Sequence, residues 1–243
     1  KIYITAFIRA LGLSSNEDIR AFFGEDNKLE ATMEKDETRN TEEALMEVFK
    51  KLRPGEPVTL ESAQQHIDNL FFDPHRYDIS RVGRYKYNKK LSMLNRLPGC
   101  TVAQPVISEY TGELLAEPGE VLTKEKALEI ENAGVMKVVV ACEDGTELFV
   151  ISNGMVYADA ILPVEISKEE LEAIGINEKV RYSVLHEVIE KCGDDKAALL
   201  AEMAERCDDL IPKHIIVDDI FASVNYVNCL TKRVGNVDDI DHL

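Results

Sequence analysis

The chain has 243 residues, which is enough for one large domain or two small ones. Apolar residues make up 45% of it, an ordinary share for a globular protein that buries a core. The formal net charge of −17 argues against a general affinity for nucleic acid, because a strongly negative surface repels phosphate. Any contact with DNA is therefore expected to be local.

Other whole-chain features narrow the class of protein. The five cysteines are widely spaced and form no Cys-x-x-Cys pair, so neither a zinc site nor a redox dithiol is indicated. We expect buried, reduced thiols and a cytoplasmic protein. No apolar run approaches the roughly 18 residues of a membrane span, and no signal peptide is recognisable. The missing initiator Met and the abrupt end at Leu243 indicate a fragment of a longer protein.

The first 72 residues are predicted to be mainly helical. Helices are expected to begin at Ser or Thr N-caps and to end at glycine or proline, while residues 25–40 are polar and charged. The predicted elements are an extended entry at 2–8 running into a short helix that stops near Gly12, then helices over 16–23, 42–52 and 60–72, capped by Ser15, Thr41 and Thr59.

The charge changes sign between His75 and Arg96. This stretch contains seven Arg or Lys and one acidic residue, Asp78, with tyrosines interleaved among them. Such a stretch in an acidic chain predicts a surface that meets a polyanion. A solvated charge run between two elements stays open as the alternative. The seven cations are Arg76, Arg81, Arg84, Lys86, Lys89, Lys90 and Arg96.

The middle of the chain, about residues 97–162, is predicted to be rich in strands. Residues 135–141 are dominated by valine, which favours a buried strand, and 147–151 form another candidate. Asn153-Gly154 predicts a hairpin turn that joins residues 149–151 to 155–157. A helix over 124–132, capped by Thr123, separates these strands from earlier ones near 102–116.

Residues 163–208 are predicted to be helical with acidic outer faces. The apolar spacing favours helices over 168–174, 182–192 and 194–207. After Pro212, regularly spaced apolar residues predict a long amphipathic helix, and residues 236–243 are expected to form a loop.

Several motifs resemble the lobe region of the bacterial RNA polymerase beta subunit. The segment Ile4–Gly12 resembles the part of that region that comes first, and Asp238–Leu243 the run just before the rifampicin-pocket region. The other matching motifs are Arg53-Pro54-Gly55-Glu56-Pro57, Leu70-Phe71-Phe72-Asp73, Arg76-Tyr77-Asp78 and Val82-Gly83-Arg84-Tyr85-Lys86-Tyr87-Asn88-Lys89-Lys90-Leu91. The matches occur in the order expected of the family.

The resemblance implies an α+β fold with a discontinuous domain. Residues 1–91 and 209–243 would form a mainly helical lobe domain, and residues 92–208 a lineage-specific insertion. Within the insertion, the phrase from Thr111 to Leu122, with the helix and the valine-rich strand that follow, resembles small sandwich–barrel hybrid modules of the large polymerase subunits. Helices over 163–208 would complete it.

The resemblance also implies which residues face DNA. The Pro-Gly turn after Arg53 would face the cleft for downstream DNA, and the last residues would contact a downstream non-template base. The implied DNA-contacting residues are Arg53, Gly55, Arg76, Arg84, Lys86, Ile240 and Asp241.

No active site of its own is predicted for the chain. Asp238, Asp239 and Asp241 form a carboxylate cluster of a kind that suits Mg²⁺. The resemblance instead implies that the Mg²⁺ of the parent DNA-directed RNA polymerase, a nucleotidyltransferase, is bound by the beta-prime subunit.

The resemblance also implies that the partners are the beta-prime and alpha subunits, sigma factor and downstream DNA. It implies no membrane and a nucleoid-associated location in the cytoplasm. The partner of the insertion stays open. The alternative interpretation is a free-standing acidic adaptor that binds other proteins.

Overall fold

The computed structural model describes residues 1–76 and 78–235. By packing, the chain divides into two compact units. The first unit comprises Lys1–Asp78 together with His214–Val217, and the second comprises Ile79–Lys213 and the described residues from Asp218 onward.

The first unit is helical throughout its described secondary structure. A π-helical turn, Asp68–Phe72, continues directly from the last of its helices. The helices are α1 (Ile4–Ala10), α2 (Asn16–Phe23), α3 (Asn27–Met33), α4 (Thr41–Leu52) and α5 (Leu60–Ile67). The buried faces of α1, α4 and α5 meet in a core of Ala10, Ala44, Leu45, Val48, Phe49, Ala63 and Ile67.

Helix caps in this unit follow local chemistry. Ser15 and Asp18 form a reciprocal capping box at the start of α2, and Thr59 and Ser62 form another at α5. The predicted cap Thr41 is wrong by one residue, because the Asn40 side chain accepts the Glu43 N–H at 2.9 Å. The extended entry predicted at residues 2–8 is also wrong, since α1 already begins at Ile4.

A buried ion pair fixes the polar stretch before α4. Arg9 on α1 approaches Asp36 with 3.5 Å between Nε and Oδ2, and both side chains are almost fully buried. Asp36 also accepts hydrogen bonds from the hydroxyls of Thr5 at 2.6 Å and Thr38 at 2.7 Å. Buried charges need such partners, and these tie residues 36–38 to α1.

The described part of the second unit mixes helices with three small antiparallel sheets, of strand order β1-β4-β5, β2-β3 and β6-β7. The strands are β1 (Thr101–Val102), β2 (Val106–Ile107), β3 (Leu114–Ala116), β4 (Lys137–Ala141), β5 (Glu147–Ile151), β6 (Met155–Val156) and β7 (Val180–Arg181). The helices are α6 (Arg81–Leu91), α7 (Met93–Arg96), α8 (Lys124–Asn132), α9 (Lys168–Ala173), α10 (Tyr182–Cys192), α11 (Lys196–Glu205), α12 (Cys207–Leu210) and α13 (Val217–Thr231, whose first residue packs in the first unit).

Two apolar clusters stabilise this unit. One packs α7, α8 and the three-stranded sheet together with Cys229 of α13. The other packs the faces of α9 to α12 around Leu185, Leu199 and Met203. Cys229 is fully buried, and the other four cysteines are half-buried and unbridged. Burial raises the pKa of the Cys100 thiol to about 11, which keeps that thiol protonated and unreactive.

The hairpin predicted at Asn153-Gly154 is wrong. The hairpin of this region joins β4 to β5, with Val139 opposite Phe149, whereas β6 pairs with β7. Asn153 is buried and donates to Asp219 Oδ1 at 2.9 Å, so it acts through distant partners and not as a local turn residue.

Helices together with separate small antiparallel sheets make this an α+β protein, as predicted. The assignment of 1–91 and 209–243 to a lobe domain, and of 92–208 to an insertion, stays a prediction. Packing places its own division near Asp78, ahead of α6.

Candidate nucleic-acid interface

The turn after α4 presents Arg53 to solvent. Arg53 ends the helix by donating its backbone N–H to Phe49 O at 2.8 Å, and Pro54 prevents continuation. Gly55 adopts φ +90°, a conformation that other residues reach only with strain. The half-exposed Arg53 guanidinium lies 3.4 Å from Glu56 Oε1. Exposed pairs of this kind contribute little stability, so Arg53 can exchange Glu56 for a phosphate at small cost.

Arg76 is similarly exposed on a short turn. Asp73 Oδ1 accepts the His75 N–H at 2.9 Å, and Asp73 O accepts the Arg76 N–H at 3.1 Å, which fixes the turn. Arg76 Nε lies 3.2 Å from Asp73 Oδ2. The arginine side chain is 60% exposed, so its guanidinium is accessible to an anion.

The basic stretch continues into α6, which sequence patterns alone did not identify as a helix. Ser80 caps it by accepting the Gly83 N–H at 3.1 Å. The helix contains no acidic residue, and Lys89 and Lys90 lie in its last turn, where the helix dipole favours cations. Lys86 projects from α6 and is exposed, between the exposed Tyr85 and Tyr87.

Arg84, which the sequence predicted to face DNA, is buried in the structure. Its side chain is 2% exposed, and its Nη1 donates to Asp219 Oδ2 at 2.6 Å. Its Nη2 also donates to Pro212 O at 3.4 Å. A buried and paired guanidinium presents no face to a phosphate, so Arg84 stabilises the core of the second unit. Its helical spacing with Asn88 and Leu91, both buried, is the sequence signal that could have shown this.

Arg96, another cation of the basic stretch, is also buried. Its Nη1 donates to Asn225 Oδ1 at 3.2 Å and its Nη2 to Leu91 O at 2.6 Å, with a further bond to Ile151 O. Burial lowers the pKa of Arg96. The stretch that looks uniformly basic in sequence therefore divides into exposed cations and core arginines.

Some predicted residues are outside what the structure describes. Ile240 and Asp241, with Asp238 and Asp239, lie outside the described residues. Among residues 1–76 and 78–235, no three His, Cys, Asp or Glu side chains are grouped so that they could hold a metal ion. Within these same ranges, no helix has both the length and the apolar character needed to cross a membrane.

Comparison with known proteins identifies the family. The family model described as RNA polymerase Rpb2, domain 2, matches residues 1–99. The DNA-directed RNA polymerase beta subunits of Clostridium acetobutylicum and Clostridium novyi are 45% and 44% identical to the chain over 243 residues. That of Acetivibrio thermocellus is 45% identical over 246 aligned residues. Each alignment covers 100% of this chain and 19% of the relative.

The matches cover both the motifs near the N-terminus and the middle of the chain. The family model includes Arg53, Gly55, Arg76 and Lys86, and all four residues are exposed in the structure. The beta-subunit relatives also match residues 92–208, so this stretch is shared with them. The chain spans about a fifth of the length of these curated relatives. It belongs to the bacterial DNA-directed RNA polymerase beta-subunit family and corresponds to the lobe region of that subunit.

Proposed function

We propose that this segment helps to hold downstream DNA during DNA-templated RNA synthesis by the parent polymerase. Arg53, Arg76 and Lys86 would contact phosphates, and the Gly55 turn would let the backbone approach the duplex. Such contacts position DNA without reading its sequence. Ile240 and Asp241 would add a contact to a non-template base, because a carboxylate accepts a hydrogen bond from a base amino group.

One observation carries this proposal: cations are exposed at the matched motifs of a strongly acidic chain. Arg53 and Arg76 each form an exposed ion pair with a carboxylate three residues away, Glu56 and Asp73 respectively. Replacing an exposed intrachain pair by a phosphate costs little and releases counterions from DNA. Arg84 is excluded from the proposed contacts because of its burial.

The chemistry of the parent enzyme would reside elsewhere. The Mg²⁺ of the parent polymerase would be bound by the beta-prime subunit. We expect the segment to work beside beta-prime, alpha and sigma factor, in the cytoplasm with the nucleoid. Residues 92–208 would supply a surface for another protein. Similarity to beta subunits along the full chain favours this role over that of a free-standing adaptor.

A salt series on the whole polymerase tests the DNA contact. In the variant Arg53→Glu/Arg76→Glu, we expect weaker binding of the downstream duplex and a shallower dependence on salt. Each lost phosphate contact should reduce the slope of log K against log salt by about 0.9. The slope should therefore fall by about 2 for the double variant.

The matched control is Lys28→Glu on α3, an exposed lysine of the same unit outside the matched motifs. It makes the same kind of charge change and should leave the slope within experimental error of the wild type. Equal slopes for the double variant and the wild type would overturn the proposal.

A further inference from the structure

A groove in the second unit is unused by the proposed DNA contact. One wall is a face of α6 that carries Arg81, Val82, Tyr85 and Lys89, and the opposite wall is Tyr157 with residues 177–179. Its volume is about 520 Å³. The antiparallel pair β6-β7 builds this opposite wall, because Tyr157 directly follows β6 and residues 177–179 directly precede β7.

The groove continues past Tyr157 into a second cavity of about 490 Å³. Tyr157, Asn177 and Glu178 line both cavities, and the second adds an apolar floor of Leu128, Leu171 and Ile176. Two cavities joined along one tyrosine form an elongated site. This shape fits an extended chain better than a compact small molecule.

Large side chains in the groove lie open to solvent. Tyr85 is 56% exposed, Tyr157 is 49% exposed and Val82 is 65% exposed. Tyrosines with an apolar ring and a polar hydroxyl are enriched in the cores of protein–protein interfaces. Lys179 holds Tyr157 in place, because its ammonium lies 5.2 Å from the ring centroid and donates to Glu131 at 2.9 Å.

The charged side chains on the α6 wall, Arg81 and Lys89, are both positive. The helix carries no acidic residue, and Arg81 is held at the rim by donating from Nη2 to Asn177 O at 3.2 Å. At physiological salt the screening length is about 8 Å, so these nearby cations outweigh the net negative charge of more distant surfaces. The α6 rim therefore complements carboxylates.

The Glu178 carboxylate favours an acidic peptide over DNA as the ligand of the groove. Its Oε2 is buried and accepts no hydrogen bond from any residue in 1–76 or 78–235. Burial raises the pKa of Glu178, against the effect of Arg81 and Arg84. A buried acceptor calls for a donor. A peptide backbone offers N–H donors at every residue except proline, whereas the phosphodiester backbone of DNA offers only acceptors.

We propose that this groove binds an extended, acidic segment of a partner protein. An apolar or aromatic side chain of the segment packs against Tyr85 and Tyr157, its carboxylates lie at Arg81, and one backbone N–H donates to Glu178. Lys86, the α6 residue of the proposed DNA contact, is not part of the groove lining. This inference deepens the role proposed for residues 92–208.

A random-peptide display selection on purified RNA polymerase with a full-length beta subunit tests the site. Peptides retained by the wild type are counter-selected against the Tyr157→Ala enzyme, and independently against Tyr85→Ala. We expect the peptides that depend on both tyrosines to combine Asp or Glu with a central apolar or aromatic residue.

Affinity of one selected peptide, measured by fluorescence anisotropy, then tests the charge. Arg81→Glu should weaken binding at least tenfold, with a loss that shrinks at high salt. Lys191→Glu is the matched control, because this exposed lysine on α10 lies outside the groove lining. It should change the affinity less than twofold.

Three results would overturn the proposal. They are a lack of tyrosine-dependent peptides, enrichment of basic peptides, and photocrosslinking of a benzoylphenylalanine at position 157 to nucleic acid in transcribing complexes. The salt slope of the Arg53→Glu/Arg76→Glu enzyme is measured separately, so a failure here is distinguishable from a failure of the DNA contact.

Discussion

Arg84 and Asp219 lie 135 residues apart in sequence and form a buried ion pair, with 2.6 Å between Nη1 and Oδ2. Asp219 joins α13 to α6. It also accepts a hydrogen bond from Asn153 Nδ2 at 2.9 Å, which links the segment after β5 to both helices. Asn153 in turn donates to Asn88 Oδ1 at 3.0 Å. One buried polar network therefore connects α6, α13 and residues from the predicted insertion.

Breaking this pair from one side should be strongly destabilising. In Arg84→Ala, the Asp219 carboxylate stays buried without its charge partner. A loss of about 3–5 kcal/mol in the free energy of unfolding is expected for such a change. Urea unfolding of the chain, followed by circular dichroism, measures this loss.

The control for that experiment is Arg81→Ala, which removes an exposed arginine from the same helix. It should cost less than about 1 kcal/mol, because exposed polar contacts contribute little. Similar losses for the two variants would mean that the Arg84–Asp219 pair does not stabilise the unit.

Asn225 of α13 completes the edge of the three-stranded sheet. Its Oδ1 accepts the Ile151 N–H at 2.9 Å and its Nδ2 donates to Phe149 O at 2.5 Å, as a neighbouring strand would. Asn225→Ala leaves both edge groups of β5 buried and unpaired. Each such group costs about 1–3 kcal/mol.

Thermal unfolding of Asn225→Ala compared with Asn228→Ala measures that cost. Asn228 lies on the same helix and is only half-buried, so its loss should lower the stability by about 0.5 kcal/mol or less. Two variants of equal stability would refute the edge-capping role of Asn225.

The buried links predict how the middle of the chain responds to cleavage. Ser92 Oγ donates to Glu131 at 2.8 Å, and Arg96, Asn153 and Asn225 add further bonds between residues 100–206 and the segments on either side. With protease sites engineered near Gly99 and Arg206, the intervening fragment should stay bound after cutting and should separate only in urea. Gel filtration of the cut protein distinguishes the outcomes. Release in native buffer would show that residues 92–208 pack as an independent module.

Acid should destabilise the first unit through Asp36. Burial by itself raises the pKa of Asp36, but hydrogen bonds from Thr38 and Thr5 and the charge of Arg9 outweigh it, so the pKa lies below the usual 3.8. A group with a lowered folded-state pKa stabilises the protein fully above its unfolded pKa. That contribution is lost as the pH falls from about 3.8 through the folded value.

The measurement is the free energy of unfolding from pH 7 to pH 2 for the wild type and Asp36→Asn. The variant should be less stable at pH 7, and the difference should narrow below about pH 3.8. A difference that does not depend on pH would contradict the assignment.

Local chemistry explains what the sequence analysis predicted well. The caps Ser15 and Thr59 act within three residues, and the turn at Pro54-Gly55 requires only the conformations that those residues favour. The helix over 182–192 was predicted at its observed bounds, because its regularly spaced apolar residues all pack into one core. These features depend on neighbours in sequence.

The errors concern residues whose partners are remote. Arg84 looked like a surface cation because its partner Asp219 cannot be paired with it from spacing alone. Asn153-Gly154 has the composition of a tight turn, but tertiary hydrogen bonds take Asn153 into the core. Helix α3 was missed because its charged sequence buries only Leu29 and Met33. The groove beside Tyr157 was missed because its walls come from two segments that are remote in sequence, within residues 81–95 and 157–179.

The most direct test of the central claim is a crosslink from position 53 to DNA. A photoreactive amino acid replaces Arg53 in the whole polymerase, and a second enzyme carries it at Lys28. With a labelled template in a transcribing complex, our account predicts crosslinks from position 53 to the duplex ahead of the transcribed position, and few from position 28. Absence of a DNA crosslink from position 53, or equal yields at the two positions, would contradict a DNA-holding role for this segment.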